Sequence, residues 1–258
     1  MTISAIVPAA GCGARAALNG NKILAPLLGK PILSWTLAAL SAQHQWNWTI
    51  GFFEGHESSV SKSWSETRDA QLVEIVIAAQ HGEFAAIEGA VEAANLTVPH
   101  RVVEGGTSRQ DSVFRAVEAA TGDFVLVHDA ARPCLDAQTL RKVIIEAQSC
   151  GAAIVALPVT DTVKIATSSE AGSIFPTIES TLDRGRIWLA QTPQVFRRDW
   201  FLAALESAQR ENFVGTDCAS LMERAGHQIA LVAGDSNNLK VTYAADLERA
   251  TSILKDKP

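Results

Sequence analysis

Short apolar runs alternate along the chain with stretches of helical period, and this restricts the architecture more than any other feature of the sequence. Ile3 to Val7 is too short for a helix and reads as a buried strand. Pro31 to Ala42 places Leu33, Leu37 and Leu40 on one helical face, with the proline near the first turn. Val73 to Ala78 is β-branched and strand-like, after which Phe84, Ile87, Val91 and Ala94 return to helical spacing. Arg101 to Val103 reads as a strand, Ser112 to Ala120 as a helix and Phe124 to Val127 as a strand. Leu140, Val143, Ile144 and Ala147 form a helical stripe before the strand Ala153 to Leu157. This alternation predicts an α/β fold: a mainly parallel, Rossmann-like sheet flanked by helices, with ligands at the carboxyl ends of its strands.

Two stretches depart from the rhythm. Trp46 to Gln71 adds a possible strand, Thr49 to Phe53, and a weakly periodic polar segment. Val159 to Gln191 is turn-rich and alternating, more like a protruding β-arm than a βα unit. No repeat, Gly/Ser tract or charge block marks a linker. The expectation is a single domain over residues 1–258, with an insertion at about 46–71 and an arm at about 159–191.

At 258 residues with 47% hydrophobic side chains, the chain can bury a large core. Its net charge of −6 argues against a broadly basic nucleic-acid surface, so no nucleic-acid partner is expected. The charge is unevenly spread: no Asp or Glu precedes Glu54, and Arg15, Lys22 and Lys30 stand in that acid-free stretch. An anion site near the N-terminus is the first functional hint. Cys12, Cys134, Cys150 and Cys218 are widely spaced and suit neither a disulfide framework nor a zinc ribbon, which favours a reducing cytoplasm. No apolar run approaches the roughly 20 residues of a membrane span, so no membrane partner is expected. The start lacks a basic signal-peptide region, and the expectation is that the mature protein begins here.

The first strand runs into Pro8-Ala-Ala-Gly-Cys-Gly-Ala-Arg15, where small residues let backbone N–H groups approach an anion. Gly11-x-Gly13-x-x-Ala16 formally matches a dinucleotide fingerprint. That reading requires an acidic residue about 20 positions later and an immediate helix. No acid comes before Glu54, and Asn19-Gly20-Asn21 interrupts. Nor is there a Walker A loop, because Gly29-Lys30 is followed by Pro31. A guanidinium fork at Arg15 and a mobile ammonium at Lys22 suit a polyphosphate. The plainer alternatives are a tight turn without a ligand and two solvated cations.

Val7-Pro-Ala-Ala-Gly-Cys-Gly-x-Arg15, with Lys22 and Pro26-Leu-x-Gly-Lys-Pro-Ile32, resembles the signature of nucleotidyltransferases that activate sugars and polyols, which have a glycosyltransferase-A-like fold. Further motifs are Gly105-Gly-Thr-Ser-Arg-Gln-Asp-Ser-Val113, Val127-His-Asp-Ala-Ala-Arg-Pro133 and Pro158-Val-Thr-Asp-Thr-Val-Lys164. Asp183-Arg184, Thr192-Pro-Gln194 and Asn238-Leu-Lys-Val-Thr242 complete the set. In this order they resemble the 2-C-methyl-D-erythritol 4-phosphate cytidylyltransferase family over nearly the whole chain. Ala14 stands where that family usually has a second arginine, Asn21-Lys22-Ile23 replaces its usual Pro-Lys-Gln, and 46–71 has no evident counterpart.

The resemblance implies transfer of the cytidylyl group of CTP to 2-C-methyl-D-erythritol 4-phosphate, giving 4-diphosphocytidyl-2-C-methyl-D-erythritol and pyrophosphate by in-line attack at the α-phosphate. It also implies Mg²⁺ as cofactor and a cytoplasmic homodimer joined through the arm. It implies that Arg15 and Lys22 stabilise the transition state, and that Arg184 and Lys240 position the acceptor phosphate. Asp129, Arg132, Thr162 and Thr192 are the further substrate-positioning candidates. For the nucleotide it points to Ala9, Ala10, Gly11, Gly13, Gly106, Thr107, Arg109, Ser112 and Ala130. Mg²⁺ is expected on the CTP phosphates, near Asp129, with no protein ligand identified.

Rival roles stay open for several residues. Ser112 equally suits a helix N-terminal hydroxyl, Arg109 and Asp111 a structural ion pair, His128 a hydrogen-bonded core histidine and Arg132 a structural arginine. At the level of function, the rivals are a ribitol-5-phosphate cytidylyltransferase and a nucleotide-binding regulator without catalysis.

Overall fold

The computed structural model describes residues 1–11, 21–42, 45–52, 64–167 and 175–256. It begins with β1 (Thr2–Pro8), a small ribbon of β2 (Pro26–Leu27) and β3 (Lys30–Pro31), then α1 (Ile32–Ser41). There follow β4 (Gln45–Phe52), β5 (Trp64–Ala79), α2 (Phe84–Ala94), β6 (His100–Glu104), α3 (Arg109–Ala119) and β7 (Phe124–Val127). Next come α4 (Ala137–Cys150), β8 (Ala152–Pro158), the arm strands β9 (Lys164–Ala166) and β10 (Ile178–Thr181), and β11 (Trp188–Arg197). The chain closes with α5 (Arg198–Arg210), α6 (Cys218–Arg224), β12 (Ala230–Ala233) and α7 (Ala244–Lys255). Among the described residues no helix is long and apolar enough to cross a membrane.

The main sheet has the order β12-β8-β11-β7-β1-β5, with β4 and β6 sharing the outer edge of β5. Four of its pairings are parallel and three antiparallel. Both faces are covered, which explains why its strands read as continuous apolar runs. Ile3, Ala5 and Val7 face Leu33, Leu37, Ile87 and Val143, in the layer of α1, α2 and α4. Ile6, Val125 and Val127 face Val113, Val117, Phe201 and Leu205, in the layer of α3 and α5. This is the period of two expected of a strand buried on both sides.

Three boundaries differ from the sequence expectations. The helix predicted from Ser112 starts at Arg109, because Ser108 and Asp111 form a capping box. The arm predicted to reach Gln191 ends earlier, since β11 begins at Trp188 and pairs antiparallel with both β7 and β8. A bond from Val159 N to the Ile187 carbonyl, at 3.0 Å, closes the base of the arm. Of the 46–71 insertion, 64–71 continues into β5 and pairs with β4, and 53–63 lies outside the described residues. That ribbon extends past the amino end of β1, where Thr2 meets Gln71, and so runs away from the ligand-binding edge.

At the same amino end, one buried carboxylate ties three segments together. Glu74 accepts hydrogen bonds from Ser4 Oγ at 2.8 Å and from Thr121 N and Oγ1, both at 2.7 Å. Burial raises the Glu74 pKa, but bonds from Thr121 and Ser4, helped by Arg101, override this and hold it below the usual value. A lowered folded-state pKa adds stability above the ordinary carboxylate range, and this is lost as the pH falls through it. Glu74→Gln should therefore cost about 2–3 kcal/mol at neutral pH. In urea unfolding, the gap between this variant and wild type should narrow steadily below about pH 4.5.

Candidate active site

The carboxyl ends of β1, β5, β6 and β7 meet along one edge of the sheet, and the loops leaving them enclose a cavity of about 480 Å³. The first wall is the loop after β1, where Ala9, Ala10 and Gly11 line the cavity. Ala9 N donates to the Ala78 carbonyl at 2.8 Å, so the loop leaves the sheet as a continuation of the ladder. Asn21 bonds the Ala9 carbonyl at 3.1 Å and Glu83 at 2.7 Å, and its side-chain oxygen caps the turn that presents Lys22 to the cavity. Gly13 and Arg15 lie outside the described residues.

The second wall follows β6. Gly105 N donates to the Ala79 carbonyl at 2.7 Å. A Cβ on Gly105 would fall 2.5 Å from Ala10 Cβ, so the two loops come this close only because glycine stands there. Gly106, Thr107, Arg109 and Ser112 line the cavity. Ser112 is not the helix cap; that role falls to Ser108. Ser112 Oγ instead accepts from Gly106 N at 3.1 Å and donates to the Ser108 carbonyl at 2.8 Å, which holds the glycine loop in shape.

The floor is Asp129, just beyond β7, with Ala130 and Ala131 beside it. Arg109 donates through Nε and Nη2 to Asp129 Oδ1, at 3.2 and 3.0 Å. Lys240 Nζ donates to Asp129 Oδ2 at 2.8 Å, and Arg132 Nε lies 3.7 Å from the same oxygen. The alternative pair of Arg109 with Asp111 is not formed, because Asp111 is engaged by Thr107 and Ser108. Burial pushes the Asp129 pKa upward, but Arg109 and Lys240 hold it far below the usual carboxylate range. Asp129 therefore stays ionised and is a poor proton acceptor.

Among the described residues Asp129 is the one carboxylate lining the cavity, and both its oxygens face cations of the protein. No group of three or more His, Cys, Asp or Glu that could hold a metal occurs among them. Both Asp129 oxygens already accept bonds from protein cations, Oδ1 from Arg109 and Oδ2 from Lys240.

Four of the predicted positioning residues lie off the cavity wall. Arg132 is buried and donates through Nη1 to the Asn238 carbonyl at 2.6 Å, joining the loop after β7 to the segment carrying Lys240. Thr192 is buried beneath Asp129 and accepts from its main-chain N–H at 3.0 Å. Arg184 sits in the arm, where Nη1 donates to the Thr160 carbonyl at 2.7 Å, and Thr162 is exposed nearby. Thr242 lines the cavity without having been assigned a role. Its signal was present, two residues after Lys240 in the same motif.

A family model described as 2-C-methyl-D-erythritol 4-phosphate cytidylyltransferase matches residues 3–74 and 64–256. Enzymes of that description from Geotalea uraniireducens and Acidobacterium capsulatum are 38% and 36% identical to this chain. The first alignment covers 99% of this chain and 97% of the relative, the second 100% and 99%. The crystal structure of the cytidylyltransferase from Thermus thermophilus superposes with a TM-score of 0.72 at 29% identity, covering 99% of this chain and 100% of that one. On the full-length match and on identities above 30%, the chain belongs to the 2-C-methyl-D-erythritol 4-phosphate cytidylyltransferase family.

Proposed function

We propose that this protein transfers the cytidylyl group of CTP to 2-C-methyl-D-erythritol 4-phosphate, releasing pyrophosphate. The observation that carries this reading is the cavity that joins the loop after β1, Lys22, the Gly106–Ser112 segment and the Asp129–Lys240 pair. A triphosphate needs positive charge. Lys22, Arg109 and Lys240 border the cavity against one carboxylate. The nucleotide's base and ribose fit the small-residue walls, where main-chain groups are within reach.

The nucleophile is a phosphate monoester whose second pKa near 6 makes it mostly dianionic at neutral pH. It needs no general base, and the depressed pKa of Asp129 suits a site without one. The difficulty is electrostatic: two anions must meet, and charge must be stabilised at the α-phosphate during in-line displacement. Lys22 and Arg15 serve that charge, while Lys240 holds the acceptor phosphate. A Mg²⁺ ion carried on the triphosphate would neutralise part of its charge, as is usual for an ion held mainly through substrate phosphates and water.

The active form is a homodimer. The paired strands β9 and β10 are exposed along their length, Ile178 at 65% and Ile165 at 38%, with Phe175 at 76%. A two-stranded ribbon is marginal alone, and a second copy would cover these side chains. Arg184 and Thr162 would then reach the acceptor phosphate in the partner's cavity. The insertion at about 46–71 is peripheral, in keeping with the place of its described strand residues, 45–52 and 64–71, at the far end of the sheet. Cys134, Cys150 and Cys218 are thiols outside any disulfide, which suits a cytoplasmic setting.

Lys22→Ala should lower kcat by about 10²–10³, the scale of one preorganised charge donor, while the melting temperature stays close to wild type. Near-normal turnover in the folded variant would refute the assignment. Pyrophosphate release at subsaturating acceptor should rise about tenfold per pH unit below pH 6 and level off above, following the acceptor's second ionisation. Mixing Lys22→Ala with Arg184→Ala under subunit exchange should restore part of the activity, since each mixed dimer keeps one intact shared site. Proven heterodimers without recovery would mean that Arg184 serves its own subunit.

A further inference from the structure

His128 is fully buried behind the cavity floor and has no part in the transfer chemistry above. Its main-chain N–H donates to the Ile6 carbonyl at 2.9 Å, anchoring it to β1. Its ring lies between the Thr192 hydroxyl, 3.1 Å from Nδ1, and the Arg132 carbonyl, 3.2 Å from Nε2. The partners fix where the protons sit. The Asp129 main-chain N–H can only donate, so Thr192 Oγ1 accepts it, at 3.0 Å. The hydroxyl keeps its own proton, which it can give to His128 Nδ1 when that nitrogen is bare. A carbonyl can only accept, so Nε2 carries the ring proton. The neutral Nε2–H tautomer satisfies every bond in the chain.

We infer that His128 is a positioning residue for the transfer reaction: through the Thr192 hydroxyl it holds the Asp129 main chain, and with it the carboxylate that aims Lys240 and Arg109 into the cavity. The inference rests on the reading of Lys240 as the acceptor-phosphate ligand. The ring's second bond, to the Arg132 carbonyl, fixes the other end of the same loop. There Arg132 N donates back to the Asp129 carbonyl at 3.0 Å. One imidazole thus braces both ends of the Asp129–Arg132 turn. A protonated ring would direct Nδ1–H at a hydroxyl that already receives the Asp129 N–H, and the hydroxyl proton would lose its acceptor. The charged groups beside the ring are Asp129 and Arg132. Burial lowers its pKa to about 4 against the opposing effects of the Arg132 carbonyl and Asp129, so the ring is neutral at working pH.

The test uses the full-length protein with CTP and the acceptor polyol phosphate, with melting temperatures as a control for folding. His128→Gln keeps a donor for the Arg132 carbonyl and lacks a matched acceptor for Thr192. His128→Asn does the reverse. The expected result is a fall in kcat/KM for the acceptor of about tenfold, the scale of one hydrogen bond, in His128→Gln and Thr192→Val. KM for CTP should stay within about twofold. His128→Asn and Thr192→Ser should each lose less than their counterparts. The double variant of His128→Gln and Thr192→Val should lose no more than the worse single one. Additive losses, equal changes in both KM values, or a folded His128→Gln with normal kinetics would overturn the inference. Should wild type fail to join CTP to this acceptor, the functional reading falls, and NMR decides the positioning claim separately. ¹⁵N ring shifts of the Nε2–H tautomer, with an Asp129 amide that moves in His128→Gln, support it. A protonated Nδ1 or an unmoved amide refutes it.

Discussion

The pocket depends on a single buried negative charge. Asp129 meets Arg109 from the first turn of α3, Arg132 from its own loop and Lys240 from the segment before α7. Three distant parts of the chain are thereby joined at one carboxylate. Removing one partner of a buried, hydrogen-bonded ion pair typically costs about 3–5 kcal/mol, because the other charge is left without compensation. Among the described residues, Arg109, Lys240 and Lys22 line the cavity against this one carboxylate, which leaves its wall with a surplus of positive charge. A site of that kind is organised before its anionic ligand arrives, so little rearrangement is needed when charge develops.

The sheet makes this convergence possible. β1, β5, β6 and β7 run parallel, so their loops leave from one edge. β11 enters antiparallel between β7 and β8, which carries Thr192 beneath Asp129 from a direction no βα unit supplies. Small residues stand where two of these loops nearly touch, at Gly105 and Ala10. At the opposite end of the sheet, the Glu74 cluster performs the structural counterpart: a buried carboxylate matched by donors from β1 and the loop after α3. Both carboxylates stay ionised because burial is outweighed by what surrounds them, cations at Asp129 and mainly hydroxyl and amide donors at Glu74.

What the amino-acid sequence determined by itself is whatever depends on neighbours along the chain. Periods of 2 and 3.6 marked β1, α1, α2, β7, α4 and β8, because burial on a strand or helix face repeats locally. The glycine-rich turns and the acid-free N-terminal stretch drew attention to the loops that line the cavity, since a close main-chain approach needs small residues wherever it occurs. Tertiary structure alone decided which charges meet. Arg109 had Asp111 two residues away, yet pairs with Asp129, 20 residues distant, because the capping box had already taken Asp111. Thr192 reaches Asp129 across 63 residues and Lys240 reaches it across 111. Periodicity carries no record of such distances: they are set by strand order and by the antiparallel entry of β11, which exist only once the sheet has formed.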